Sequence, residues 1–95
     1  MTLVILAQIT AAEGKEELVR NALEKLVEPS LKDEGCIRYD FHRDNENPAY
    51  FVFYEIWETR DLWLKHMDTP HLAAYKSATE GAVADFKLNE LTRIS

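Results

Sequence analysis

The sequence predicts an α+β fold in which four antiparallel strands form one sheet and helices cover one of its faces. Three observations carry that prediction. Tyr50–Trp57, reading Tyr-Phe-Val-Phe-Tyr-Glu-Ile-Trp behind an Asn47-Pro48 turn signal, is a β-branched and aromatic run typical of a strand. Leu3–Thr10 is a second apolar run, almost every residue of it apolar or β-branched. Segments with helical spacing alternate with these runs, so the order becomes strand, helix, strand, strand, helix pair, strand.

The first strand puts Leu3, Ile5, Ala7 and Ile9 on one face and Val4, Leu6, Gln8 and Thr10 on the other. Beyond Gly14, the residues Leu18, Val19, Ala22, Leu23, Leu26 and Val27 form a one-sided helical stripe. Pro29 is expected to end or kink that helix, with Leu31 resuming its apolar face and Gly35 closing the segment. Cys36–Arg43 reads as the second strand, with Ile37, Tyr39 and Phe41 inward and Cys36, Arg38, Asp40 and His42 opposite. The polar Asp44–Pro48 turn makes it a hairpin with Tyr50–Trp57. In that third strand Phe51, Phe53, Glu55 and Trp57 share a face, and Tyr50, Val52, Tyr54 and Ile56 share the other. Thr59 is a plausible N-cap for a helix carrying Leu62, Trp63, His66 and Met67, and Thr69-Pro70 restarts a helix with Leu72, Tyr75 and Thr79 on one side. Phe86–Ile94 is the expected last strand, with a bulge at Asn89-Glu90 where the alternation breaks. Without repeats or linkers, residues 1–95 read as one ferredoxin-like domain.

Ninety-five residues make a small core, and both central strands are apolar on two faces. The helices suffice for one face, so a second copy of the chain, packed sheet against sheet, is the expected cover for the other. A net charge of -6 leaves no basic stripe to track phosphates. Aromatics at Tyr39, Phe41, Phe51 and Phe53 are therefore not read as an RNA platform. The single cysteine, Cys36, rules out an intrachain disulfide and a thiolate-built metal site. The opening apolar run lacks a basic n-region and ends at Gln8 and Thr10, so neither a signal peptide nor a membrane span is expected, and the cytoplasm is the default location.

No dinucleotide fingerprint, phosphate-binding loop, zinc-protease helix or nucleophile elbow is present, and no cofactor is expected. The informative constellation is Glu55-x-Trp57 followed by His66 and His71. A carboxylate between Phe53 and Trp57 must find a donor, hold its proton or reach a wet cavity. Four residues beyond Leu62, His66 lies on or beside the face that packs on the sheet, within reach of Glu55. Two readings fit it: a general base for a phenol, or a buried histidine donating to Glu55 as a structural pair. Trp57, Tyr39, Trp63, Tyr54 and Tyr75 suit an aromatic pocket for a planar substrate, although Trp63 and Tyr75 at helical spacing also suit a core, and His71 a helix start. Two histidines five residues apart across a proline are poor spacing for a metal, and none is expected.

At these residues the sequence resembles the antibiotic biosynthesis monooxygenase domain family, small dimeric α/β-barrel proteins that include cofactor-free quinol monooxygenases. The likeness runs through Gly14-Lys15, Glu34-Gly35-Cys36, Tyr39, Pro48, Phe53, Glu55-x-Trp57 and His66-x-x-Thr69-Pro70-His71. It implies two ferredoxin-like subunits packed sheet to sheet, each with its own pocket between helices and sheet. It also implies a mixed set of activities: oxidation of quinols or phenols by dioxygen, haem degradation, and processing of a phosphorylated signalling sugar. The haem degraders use an asparagine on strand one, and Leu6-Ala7-Gln8 has none.

The expectation is thus a homodimeric, cofactor-independent monooxygenase that converts a quinol or polycyclic phenol to a quinone with dioxygen. His66 would be the base, Glu55 would hold its ring, His71 would stabilise a substrate oxygen anion, and Trp57, Tyr39 and Trp63 would orient the ring. The competing expectations are a non-catalytic or stress-related ligand-binding dimer and a sugar-phosphate isomerase.

Overall fold

The computed structural model describes residues 2–95. Its elements are β1 (Leu3–Ala11), α1 (Glu16–Glu24), α2 (Val27–Leu31), β2 (Cys36–Arg43), β3 (Tyr50–Trp57), α3 (Arg60–Met67), α4 (Pro70–Ala78) and β4 (Val83–Leu91). All strand pairings are antiparallel and the sheet order is β2-β3-β1-β4, the ferredoxin-like arrangement. Among the described residues no helix is long and apolar enough to cross a membrane.

Side-chain alternation assigns the two faces. Ile5, Ala7 and Ile9 of β1 stand beside Glu55, Phe53 and Phe51 of β3, and this face packs with Val19, Leu23, Leu26, Trp63 and Leu72 in one buried cluster. The other face carries Leu6, Tyr50, Val52, Tyr54 and Ile56, all half-buried, with Val4 buried and Ile37 exposed. A polar line crosses it: the Tyr50 hydroxyl donates to Gln8 Oε1 (2.7 Å), and Gln8 Nε2 donates to Asn89 Oδ1 (3.2 Å).

Local chemistry explains where the elements depart from expectation. The first helix breaks at Lys25-Leu26, before Pro29, which then sits as the third residue of α2. A proline there donates nothing to the Lys25 carbonyl and crowds it, so the helix must restart one turn earlier. Leu31 does not resume the apolar face; it is 51% exposed. In β2 the register shifts between Cys36 and Arg38, a bulge that turns Ile37 out beside Tyr54 and Ile56. The same bulge sets Cys36 opposite Trp57, on the helix-covered face rather than opposite Tyr39. Burial, aided by the charges of Glu55 and Asp33, pushes the Cys36 thiol up to about 11, so it is no nucleophile at neutral pH. β4 starts three residues earlier than its sequence suggested and runs unbroken through Asn89-Glu90; its irregularity lies opposite Thr10/Ala11. Glu90 is held by Arg60 at 2.7 Å.

The turn into β2 is the tightest joint. Gly35 has φ +85, and a Cβ there would stand 2.5 Å from Leu62 Cδ1 and 2.8 Å from Leu62 Cβ. Only glycine lets the loop lie against α3. Gly35→Ala should therefore lower stability by about 2–4 kcal/mol, combining a left-handed backbone with a clash. Urea unfolding of the two proteins side by side measures this; indistinguishable midpoints would contradict it.

Candidate active site

Three separate segments build the site. Thr59 starts α3, its hydroxyl accepting from the Leu62 amide (3.2 Å), and this register turns Trp63 and His66 inward. The other end is fixed by Thr69, whose hydroxyl donates to the His66 carbonyl (2.7 Å) rather than capping α4. Pro70 takes the first position of α4, as expected, and His71 the second. The third segment is the loop after α2, which carries Asp33 and lies against α3 where Gly35 meets Leu62.

Asp33 is the residue that sequence reasoning missed. Its Oδ2 lies 2.7 Å from His66 Nδ1 and 2.8 Å from His71 Nε2, so one carboxylate oxygen holds both imidazoles. Thirty-odd residues separate Asp33 from either histidine, and within Lys32-Asp33-Glu34 it looks like any solvated charge. The one available signal was Gly35, two residues on, whose left-handed backbone marks a turn. Glu55 does not hold His66. Its Oε1 accepts from Trp57 Nε1 at 2.9 Å, a pairing of strand neighbours two residues apart on one face.

The His66 ring is almost wholly enclosed, lying 4.5 Å from the Trp57 ring and edge-on to Tyr39 at 5.5 Å. Burial holds His66 below the usual histidine range, outweighing the opposing pull of Asp33. A neutral imidazole beside an acceptor-only carboxylate keeps its one hydrogen on Nδ1. Nε2 is then bare and has no partner among the described residues. Glu55 is the complementary group: burial pushes its carboxyl up to about 7 against the opposing Trp57 N–H. Burial also raises the Tyr39 and Tyr75 phenols, which stay protonated.

His66 and Glu55 meet at a cavity of about 220 Å³ lined by Tyr39, Phe53, Trp63, Met67, Leu72, Tyr75 and Phe86, among others. Five predicted residues therefore converge: His66, Glu55, Tyr39, Trp63 and Tyr75. Three do not. Trp57 is fully buried and does not line the cavity; its Nε1 donates to Glu55 and its ring packs against His66. Tyr54 points from the opposite face of the sheet, because it alternates with Phe53 and Glu55. His71 lines a separate groove between α1 and α4, which shares Leu26 and Tyr75 with the cavity, and its Nε2 is engaged by Asp33. Met67 and Phe86 were read only as helix and strand apolar positions.

Comparison with known proteins agrees with this architecture. Residues 2–78 match the family model described as antibiotic biosynthesis monooxygenase. The crystal structure of PA3566 from Pseudomonas aeruginosa superposes with a TM-score of 0.95 at 31% identity, covering 99% of this chain and 95% of that one. Probable quinol monooxygenase YgiN of Escherichia coli is 29% identical over 99 residues, covering 94% of this chain and 95% of its own. An uncharacterized Synechocystis protein, sll1783, is 30% identical over 69 residues; the match takes in 73% of this chain and spans about half (47%) of that relative. With the match running from β1 through α4, and so through Asp33, Glu55, His66 and His71, the chain belongs to the antibiotic biosynthesis monooxygenase family.

Proposed function

We propose that the chain is a cofactor-independent monooxygenase acting on a small planar phenol or quinol with dioxygen. The observation that carries this reading is His66, held through Nδ1 by Asp33 and lining an aromatic-walled cavity beside a carboxyl that burial raises to about 7. Nε2 takes the phenolic proton, and the Asp33 carboxylate stabilises the imidazolium that results. The phenolate is electron-rich enough to pass an electron to dioxygen. Phenol plus dioxygen gives quinone plus water: one oxygen atom enters the ring, the other leaves as water, and the ring supplies all four electrons. A quinol follows the same balance to a hydroxyquinone. Glu55, as the acid, donates to an oxygen on the far side of the ring, while Tyr39 and Trp63 hold its plane and exclude water.

Size narrows the substrate. An apolar cavity of ~150 Å³ accepts benzene, so 220 Å³ suits one or two fused rings. A phosphorylated sugar fits poorly, since Lys76 is the one cation among the lining residues. Oxygen-electrode measurements under air, with one-, two- and four-ring phenols and quinols, test the proposal. Uptake with the small rings and none with four is the expected result. No uptake with any of them would leave a binding protein.

The open sheet face is assigned to a second copy of the chain. Tyr54, Ile37, Val52 and Ile56 leave an apolar surface that no helix among the described residues covers. Light scattering at micromolar concentration should give twice the 11.0 kDa chain mass. A well-folded species at the chain mass would refute this assignment, because burying a sheet face gives a persistent interface.

A further inference from the structure

We propose that Asp33, His66 and His71 form a binding site for a transition-metal cation of the zinc class, and that occupying it withdraws the base at His66. The second half rests on the reading of His66 given above. Within the described residues these three side chains are a group whose ligand atoms all lie within 4.8 Å of one another, and they converge from the α2–β2 loop, the end of α3 and the start of α4. Two imidazole nitrogens and one carboxylate oxygen suit zinc, copper, iron or nickel. A single oxygen donor is too few for calcium or magnesium.

Two of the three donor separations are close to what a metal requires. Bonds of ~2.0–2.1 Å at tetrahedral angles space donor atoms about 3.3 Å apart. The two separations of 2.7 and 2.8 Å must open by roughly half an ångström, and the His66–His71 separation, within 4.8 Å, must settle at the same spacing. Access is provided by a depression of about 140 Å³ over Asp33 and His66, with Glu34, Leu62, Lys65 and Thr69 around it, which leaves space for water in a fourth position. Lys65 is the one cation on that rim, and it is turned to Glu34 at 3.7 Å.

A cation here has a defined chemical effect. His66 would ligate through Nδ1, the atom that now carries its hydrogen towards Asp33. A neutral imidazole has one hydrogen, so it must move to Nε2. The nitrogen proposed above as the base then becomes a donor and can no longer take a phenolic proton. No proton is gained or lost in the exchange. Zinc would therefore bind without serving the reaction, and would stop it.

The test is a zinc titration of the purified, metal-stripped protein against a chromophoric chelator, with nitrogen NMR of the labelled histidines alongside. One equivalent should bind per chain, and His66 should switch from the Nδ1–H to the Nε2–H form. His71→Ala should weaken binding by more than the roughly 10–100-fold that a lost outer-shell partner costs. His42→Ala, which removes the third histidine, on β2 near the Val52 carbonyl, should change nothing. Absence of stoichiometric zinc would overturn the proposal. So would equal affinity in His71→Ala, loss of binding in His42→Ala, or a His66 hydrogen that stays on Nδ1 with zinc bound. Neither readout needs a quinol, so a protein that never consumes oxygen would refute the functional reading while these measurements still decide this one.

Discussion

Replacing His66 with alanine is expected to lower phenol-dependent oxygen uptake by roughly 100-fold or more, the scale of a lost general base. Asp33→Asn should cost roughly as much, for a different reason. An amide can still accept from Nδ1–H, but it carries no charge to stabilise the imidazolium, and its NH2 group favours the wrong tautomer. Both losses should fall mainly on kcat, because neither side chain supplies much of the cavity's apolar wall. Circular dichroism and the scattering mass establish that each variant remains folded. Glu55→Gln separates this arrangement from the one the sequence suggested. If Glu55 oriented His66, Glu55→Gln would show the lost charge and wrong tautomer, and Asp33→Asn would be mild. The hydrogen bonds place the orienting defect in Asp33→Asn, whereas Glu55→Gln removes only the acid. Equal rates for wild type and His66→Ala at every pH would remove His66 from the chemistry.

What the sequence could show follows from the range of the forces involved. Strand and helix identity are local, set by periodicity over a few residues, and β2 and β3 begin and end where Cys36–Arg43 and Tyr50–Trp57 predicted. Thr59 and Pro70 likewise mark helix starts through contacts within one turn. The bulge at Ile37 was invisible because it depends on Gly35 and on how β2 meets Trp57, contacts made across the sheet. The early start of β4 has the same origin: Val83 is drawn into the ladder by pairing with Ala11, whereas its own segment, Val-Ala-Asp, has little strand character.

The site divides along the same line. His66, Glu55, Tyr39 and Trp63 could be named because each is a polar or aromatic group on a face already known to be inward. Their pairing could not be deduced, since facing inward does not say which polar atom meets which. Glu55 is satisfied two residues along its own strand by Trp57 Nε1, and this leaves His66 free for a more distant partner. Asp33 becomes that partner through the loop that Gly35 turns against Leu62. Tyr54 illustrates the converse failure. Aromatic character suggested a pocket residue, yet strict alternation in β3 places it on the opposite side from Glu55.

Glu55 gives the second large effect, and it is read in stability. A carboxyl that is 4% exposed and raised from an ordinary 4.5 to about 7 binds its proton more tightly folded than unfolded. Below pH 4.5 both states hold the proton, and the contribution of Glu55 is fully present. Between 4.5 and about 7 the unfolded chain has lost it while the folded chain keeps it, so stability falls as pH rises. Above about 7 the folded state must carry a buried anion, and the contribution is gone. The full swing is on the order of 3 kcal/mol, a ceiling, since water in the cavity would solvate the anion. Glu55→Gln keeps an oxygen for the Trp57 N–H but cannot ionise. The variant should therefore gain on wild type steadily across that window and be the more stable protein at pH 8. Urea midpoints at fixed protein concentration, taken as the difference between the two proteins at each pH, cancel the other carboxylates and isolate this one. Trp57→Phe should act in the opposite sense to a donor: removing the N–H leaves burial unopposed, so the window moves to still higher pH. A flat Glu55→Gln difference curve would mean that Glu55 is solvated in the folded protein, and it would then be an anion at neutral pH, unable to donate to a substrate oxygen.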